Sequence, residues 1–365
     1  MTSAVNIQNL NCTRLLNGLV QFFKYTLLLL VFPFILTGCE KDQPLESAVT
    51  PHDFAGQVMG TWYTVKYFAP AATNNPPPLQ EIDRQIDAAL VQVDQLMSTY
   101  KASSEVSRFN EAKPGQWFDV SEQTFTVISL AQRISEQTSG SFDITVAPLV
   151  DLWGFGPDPR TVEVPDKQHI ESLLANLGYQ NLELDAEKKR IRKKAELRID
   201  LSAIAKGFAV DQVANYLDET GIVSYMVEVG GEIRTRGYKP GQQPWRIAIE
   251  SPNPLQREVD RIINVTDRAV ATSGDYRNYF EKDGRRYSHT IDPKTGYPVT
   301  HRLASVTVIA DTAAEADALA TAFSVMGSDQ AMRYAKAYNV AAYFIVKERE
   351  GFMAKLSDAF VTMGQ

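Results

Sequence analysis

The chain has 365 residues, 44% hydrophobic and 22% charged, the composition of an ordinary globular protein with a substantial core. Its formal charge of -7, with no long basic run, argues against general nucleic-acid binding. The two cysteines, Cys12 and Cys39, both precede the body of the chain, which excludes a disulfide framework, a thiolate metal site and a cysteine nucleophile there; four histidines (His52, His169, His289, His301) make a His-rich zinc site a poor fit.

Lys24 precedes an apolar run, 25–36 (YTLLLLVFPFIL). It is shorter than the roughly 20 residues that cross a bilayer and suits the apolar stretch of a secretion signal. It ends in Leu36-Thr37-Gly38-Cys39, which resembles the lipobox of bacterial lipoproteins. In that family the signal is cut before the cysteine, whose thiol is acylated. The resemblance implies a signal peptide over 1–38, lipidation (palmitate) at Cys39 and an anchor on the periplasmic side of a bacterial membrane, the inner rather than the outer. A plain signal peptide or an uncleaved anchor is the alternative. Residues 39–53 contain Pro, Asp, Glu and Ser and read as a flexible tether, which places the folded domain at 54–360.

Residues 57–68 (QVMGTWYTVKYF) alternate and predict a strand with a kink at Met59-Gly60-Thr61. Ile82, Ile86, Leu90, Val93 and Leu96 recur at helical spacing over 79–97. Ser104-Glu105 suits the start of a short helix, and Ser121 is an N-cap for a helix to residue 137 carrying Phe125, Ile128, Leu130 and Ile134. A further helix is expected over 166–177. Strands are expected at 197–201, 225–229, 245–250, 261–265, 269–276 and 305–310. Thr312 suits an N-cap for a helix over 313–326, and 340–346 with 352–356 reads as a terminal hairpin. Strands and helices mix without strict βαβ alternation, which predicts an α+β fold.

Five places carry candidate chemistry. The stretch 199–217 (IDLSAIAKGFAVDQVANYL) reads as a strand feeding a helix, with Asp200, Lys206 and Gly207 at the junction. Phe208, Val213 and Leu217 lie on its apolar face, and Asp211, Gln212 and Asn215 lie elsewhere. Such a junction offers free N–H groups and a helix dipole to a phosphate, or else is a plain βα connection capped by its Asp. Tyr100 offers a flat ring to an aromatic ligand or is a half-buried core residue, and Asp143 interrupts an apolar run as a capped structural group or a site residue. The polar loop 287–298 (YSHTIDPKTGYP) is a site candidate or a surface hairpin. Asp317 and Thr321, four apart on one helix face, offer hard oxygen ligands to Mg²⁺ or Ca²⁺. Alternatively, Asp317 caps a neighbouring helix and Thr321 bonds back to its own helix.

In order along the chain, Met59-Gly60-Thr61, Ser98-Thr99-Tyr100-Lys101, 140–148 (GSFDITVAP), 152–156 (LWGFG), 200–207 (DLSAIAKG), Val229-Gly230-Gly231, 271–276 (ATSGDY), 288–296 (SHTIDPKTG) and 316–321 (ADALAT) resemble the motifs of the ApbE family, the FAD:protein FMN transferases. Each motif is weak alone; together they span roughly residues 54 to 350. The resemblance implies an ApbE-like, T-fold-related domain with the FAD site between its two parts. It implies an enzyme that uses Mg²⁺ to split FAD, passes FMN to a Thr hydroxyl of an acceptor protein and releases AMP. Acceptors of that family resemble subunits of membrane redox complexes such as the sodium-translocating NADH:quinone reductase. By the same resemblance Met59 and Tyr100 lie against the flavin; Ser141, Phe142, Asp143, Asp200, Lys206, Ser288 and His289 border FAD. The Ala203 carbonyl, Asp317 and Thr321 hold the metal, and His289, Asp275 and Lys206 are the catalytic candidates. An FAD pyrophosphatase releasing FMN and AMP, and a non-catalytic FAD-binding lipoprotein, are the competing readings.

Overall fold

The computed structural model describes residues 50–69, 77–157, 163–253, 258–276 and 278–363; the signal segment, Cys39 and the tether up to residue 49 lie outside them. In chain order, β1 (Thr50–Val58) and β2 (Thr61–Ala69) are followed by α1 (Leu79–Met97), α2 (Glu105–Glu111), β3 (Phe118–Asp119), α3 (Glu122–Gln137), α4 (Ala147–Leu152) and α5 (Lys167–Leu174). Next come β4 (Leu182–Asp185), β5 (Arg190–Lys193), α6 (Ala205–Glu219), β6 (Tyr225–Val229), β7 (Glu232–Arg236), β8 (Trp245–Glu250) and β9 (Val259–Val265). The remainder is β10 (Ala269–Gly274), β11 (Tyr279–Lys282), β12 (Arg285–Ser288), β13 (Leu303–Ala310), α7 (Ala313–Ala337), β14 (Ala341–Lys347), β15 (Phe352–Leu356) and α8 (Asp358–Met363).

The central sheet has eight strands in the order β1-β2-β6-β7-β10-β13-β14-β15, antiparallel throughout. Strand β14 shows why both its faces are covered. Its alternate residues Ala342, Phe344 and Val346 join the core under the helices. Ala341, Tyr343 and Ile345 join a second core with Ile247, Ile249, Ile263 and Phe360 from β8, β9 and α8. A strand buried on both sides reads as an unbroken apolar run, as 340–346 does. On the helical side, α1 buries Ile82, Ile86, Leu90 and Val93 as expected, with Met97 buried in place of the half-buried Leu96. Burying each such side chain contributes about 1.5–3 kcal/mol. The fold is α+β, as expected.

Several elements differ from the sequence expectation. Met59 and Gly60, with φ of 51° and 71°, form the hairpin turn between β1 and β2 and not a kink within one strand. Strand β1 begins at Thr50, so the end of the expected tether belongs to the sheet. The stretch 197–201 is no strand: it makes an isolated bridge, Val146 to Arg198, and donates Asp200 N–H to the Ile144 carbonyl at 2.7 Å. Helix α5 stops at Leu174, and α7 runs on to Ala337 across a break at Gly327 (φ 74°, ψ 165°). The small β3-β5-β4 sheet, the β11–β12 hairpin and the strand β7 were not expected; short or highly charged strands carry little periodicity.

Candidate active site

Helices α6 and α7 form the floor of a cleft of 430 Å³. They approach at Gly207, where an added Cβ would stand 2.2 Å from the Ala313 carbonyl oxygen. Only glycine allows that contact. The Gly207 N–H donates to Asp317 Oδ2 at 3.1 Å, across 110 residues of sequence. Asp211, expected on a polar face, is buried and accepts the N–H groups of Ala313 and Ala314 at 2.9 Å each. It adds to the expected cap of α7, Thr312, whose hydroxyl accepts the Glu315 N–H at 3.3 Å, and also pairs with Arg234 at 2.9 Å. The start of α6 is therefore less open to an anion than the sequence suggests. Gly207 N–H is taken by Asp317, and Ala205 N–H donates to the Leu201 carbonyl at 2.8 Å.

Positive charge at the floor comes from Lys206. Its ammonium lies 3.3 Å from Glu232 Oε1 and 3.7 Å from Asp317 Oδ2, and donates to the Ser202 carbonyl at 3.4 Å. Burial opposes the ammonium, but the Asp317 and Glu232 carboxylates outweigh it and hold Lys206 protonated, above its ordinary value. Burial also raises both carboxyls. Glu232, helped by Asp317 and opposed by Lys206, is pushed up to about 8, and Asp317 is raised although Lys206 and Gly207 oppose it. Glu232 begins β7 after the Gly230-Gly231 turn, whose φ values of 62° and 105° suit glycine. It is 4% exposed, lines the cleft, and its Oε2 has no partner among the described residues. The sequence marked the paired glycines but missed Glu232; a charged residue directly after a turn-forming pair is the signal that was available.

The walls are pinned by local hydrogen bonds. Asn110 donates to the Ile199 carbonyl at 2.9 Å and accepts the Ile199 N–H at 2.8 Å, which holds the segment carrying Asp200. Asp200 Oδ1 accepts the Ser202 N–H at 2.8 Å and its hydroxyl at 2.6 Å, so Asp200 closes a turn and does not cap the helix. Asp143 is buried and accepts from Thr145 N–H, the Thr145 hydroxyl and Tyr179 N–H at 2.7–2.8 Å. Its carboxylate stitches two loops together while its residue lines the cleft beside Ser141 and Phe142. Tyr100 is 70% exposed at the rim, its N–H donated to Ser98 Oγ at 3.1 Å. A ring so placed is available to a planar ligand.

His289 also lines the cleft. Its Nδ1 lies 3.0 Å from the Asn278 carbonyl oxygen. That oxygen can only accept, so Nδ1 carries the proton and Nε2 remains the basic nitrogen. Burial, with a contribution from Lys206, lowers the imidazole below its ordinary value and keeps it neutral near pH 7. Asp275 stands elsewhere: its carboxylate pairs with Lys347 at 2.7 Å, and the residue is absent from the cleft lining. Met59 and Ser288 are likewise outside that lining. Met59 forms the hairpin turn, and the buried Ser288 accepts the Thr290 N–H at 3.1 Å. The remaining candidates, Tyr100, Ser141, Phe142, Asp143, Asp200, Ala203, Lys206, His289, Asp317 and Thr321, converge on the one cleft.

The donor set suits a hard cation. Asp317, Thr321 and Ala203 share the floor, and Thr321 makes no bond back to its own helix among the described residues. No group of three or more His, Cys, Asp or Glu that could cage a metal exists among the described residues. A carboxylate, a hydroxyl and a carbonyl leave positions for water and phosphate oxygens, the usual demand of Mg²⁺. Glu232 Oε2, buried and without a partner among the described residues, lies in the same floor.

The ApbE family profile matches residues 59–344. The FAD:protein FMN transferase of Vibrio cholerae serotype O1 is 45% identical over 326 residues, covering 89% of this chain and 95% of that protein. The Escherichia coli K12 enzyme of the same description is 37% identical over 337 residues, covering 91% and 95%. Among solved structures, the flavin transferase ApbE from Vibrio cholerae superposes with a TM-score of 0.79 at 43% identity, covering 86% of this chain and 99% of that one. The apo form of the Pseudomonas stutzeri flavinyl transferase ApbE gives 0.79 at 39% identity, covering 87% and 97%. The chain therefore belongs to the ApbE family and is a flavin transferase that moves FMN from FAD to an acceptor protein.

Proposed function

We propose that the transfer is Mg²⁺-dependent, ends on a threonine hydroxyl of the acceptor and releases AMP. The observation that carries this reading is the meeting of Lys206, Asp317, Thr321 and His289 in one cleft. The acceptor oxygen forms a new P–O bond to the FMN phosphorus. The pyrophosphate P–O bond breaks, and AMP leaves with the bridging oxygen. Nε2 of His289 takes the hydroxyl proton as the new bond forms. Lys206 faces the charge that builds on the phosphate oxygens, its ammonium kept by Asp317 and Glu232. Asp317, Thr321 and the Ala203 carbonyl would hold Mg²⁺, which when bound neutralises pyrophosphate charge. The wall of Ser141, Phe142 and Asp143 with Tyr100 at the rim gives FAD its seat.

The segment ending in Leu36-Thr37-Gly38-Cys39 supports a lipid anchor at Cys39 and a periplasmic workplace, with acceptors among membrane redox subunits. The test is to mix the purified protein with FAD, Mg²⁺ and a threonine-containing acceptor domain and to weigh the acceptor. A gain of one FMN with equimolar AMP is expected. FMN and AMP accumulating free, with no gain by the acceptor, would make it a hydrolase; bound FAD without turnover would make it a carrier.

A further inference from the structure

Behind the 289–301 loop lies a second cavity of 440 Å³, and Val325 on α7 lines both it and the flavin cleft. One loop thus separates the two. His301 lines the second cavity. Its Nε2 lies 2.8 Å from the Ser324 carbonyl oxygen and donates to it. Its Nδ1 is therefore an acceptor, buried and without a partner among the described residues. The break at Gly327 makes room for this ring: an added Cβ there would stand 2.9 Å from His301 Cδ2. Arg286 lines the same cavity. Its guanidinium covers the Tyr279 ring at 3.6 Å and donates to the Asp275 carbonyl, while its Nε is a buried donor without a partner among the described residues. Arg285 stands exposed at the rim over Tyr287. Neither arginine pairs with a carboxylate among the described residues. The cavity's own carboxylate, Asp292, is turned onto Lys294 N–H and the Thr295 hydroxyl.

Two arginines lining the groove, neither paired with a carboxylate among the described residues, favour negative charge in an occupant. The transfer also needs a second substrate, a protein hydroxyl that must reach His289 while FAD fills the cleft. We propose that this groove seats the acceptor polypeptide: an extended segment with acidic residues flanking the one that carries the hydroxyl. The inference rests on reading the neighbouring cleft as the flavin site.

The test uses the full chain loaded with FAD and two short fluorescent peptides, each with one threonine, flanked by aspartates in one and by lysines in the other. Fluorescence anisotropy gives Kd for each peptide with wild type and with Arg285→Glu. The acidic peptide is expected to bind wild type about tenfold more tightly than the basic one, and Arg285→Glu to cancel or reverse that preference, with FAD affinity unchanged. Equal Kd values for the two peptides, a preference untouched by Arg285→Glu, or loss of FAD binding in that variant would overturn the proposal. A peptide that binds as expected but gains no FMN supports the groove and counts against threonine transfer at the cleft.

Discussion

Asp211 on α6 and Asp317 on α7 each hold the start of the other's helix. The Asp211 carboxylate accepts the N–H groups of Ala313 and Ala314, and the Asp317 carboxylate accepts that of Gly207. The two helices that make the floor of the site are thereby locked in register. Asp317 serves the architecture through one oxygen and faces Lys206 and the cleft as well.

Asp211→Ala leaves the Ala313 and Ala314 N–H groups without their acceptor, although Thr312 still caps the Glu315 N–H, and leaves Arg234 without this partner, so we expect a loss of about 2–4 kcal/mol in urea unfolding. A change within 0.5 kcal/mol or so would show that the cap is dispensable.

Gly207→Ala puts a methyl group against the Ala313 carbonyl, and backbone cannot step aside as a flexible side chain can. We expect about 1–3 kcal/mol of destabilisation together with reduced FAD affinity, because the floor must widen. Calorimetry with an FAD titration checks both, and retention of both properties would contradict the close helix contact.

Much of this was legible in the sequence. The period of 3.6 in α1 and the unbroken apolar run of β14 placed the cores, because burial on one face or both writes itself into the spacing of apolar residues. What remained hidden were partnerships between distant polar residues. Asp211 looked like a solvated helix residue, and Asp317 allowed either a metal or a cap; the structure gives it the cap and places it beside Thr321 in the cleft. Asp275 looked like a base beside a turn, and its partner Lys347 lies 72 residues away. Glu232 was missed for the same reason, since its meaning depends on Lys206 and not on its neighbours in sequence.

Glu232 makes stability depend on pH in a defined direction. Its carboxyl is pushed up to about 8, from an ordinary value of 4.5. Between those values the folded protein keeps a proton that the unfolded chain has released, so stability falls as pH rises through that window. In protein free of FAD and metal, Glu232→Gln is expected to gain stability over wild type progressively from pH 5 to pH 8. A gap that stays constant or shrinks over that range would contradict the buried, raised carboxyl.

As the proposed base, His289 must be neutral to accept a proton, and burial lowers it below its ordinary value of 6.5. Transfer should therefore hold its rate as pH falls to that value and drop only below it. His289→Ala should cost about 10²- to 10⁴-fold in transfer while FAD still binds. An acid limb above pH 7, or near-normal transfer by the variant, would assign the base elsewhere.

In the proposed reaction, Asp317 joins the α6–α7 floor to a metal-assisted cleavage of FAD. Asp317→Asn tests it most directly, because the amide oxygen can still accept the Gly207 N–H while the charge is gone. Acceptor mass and AMP are measured at saturating FAD across a Mg²⁺ titration, alongside the melting temperature. An intact fold is expected, with at least about a hundredfold loss of FMN transfer that added Mg²⁺ does not restore. Wild-type transfer with unchanged Mg²⁺ dependence in a folded Asp317→Asn protein would contradict it.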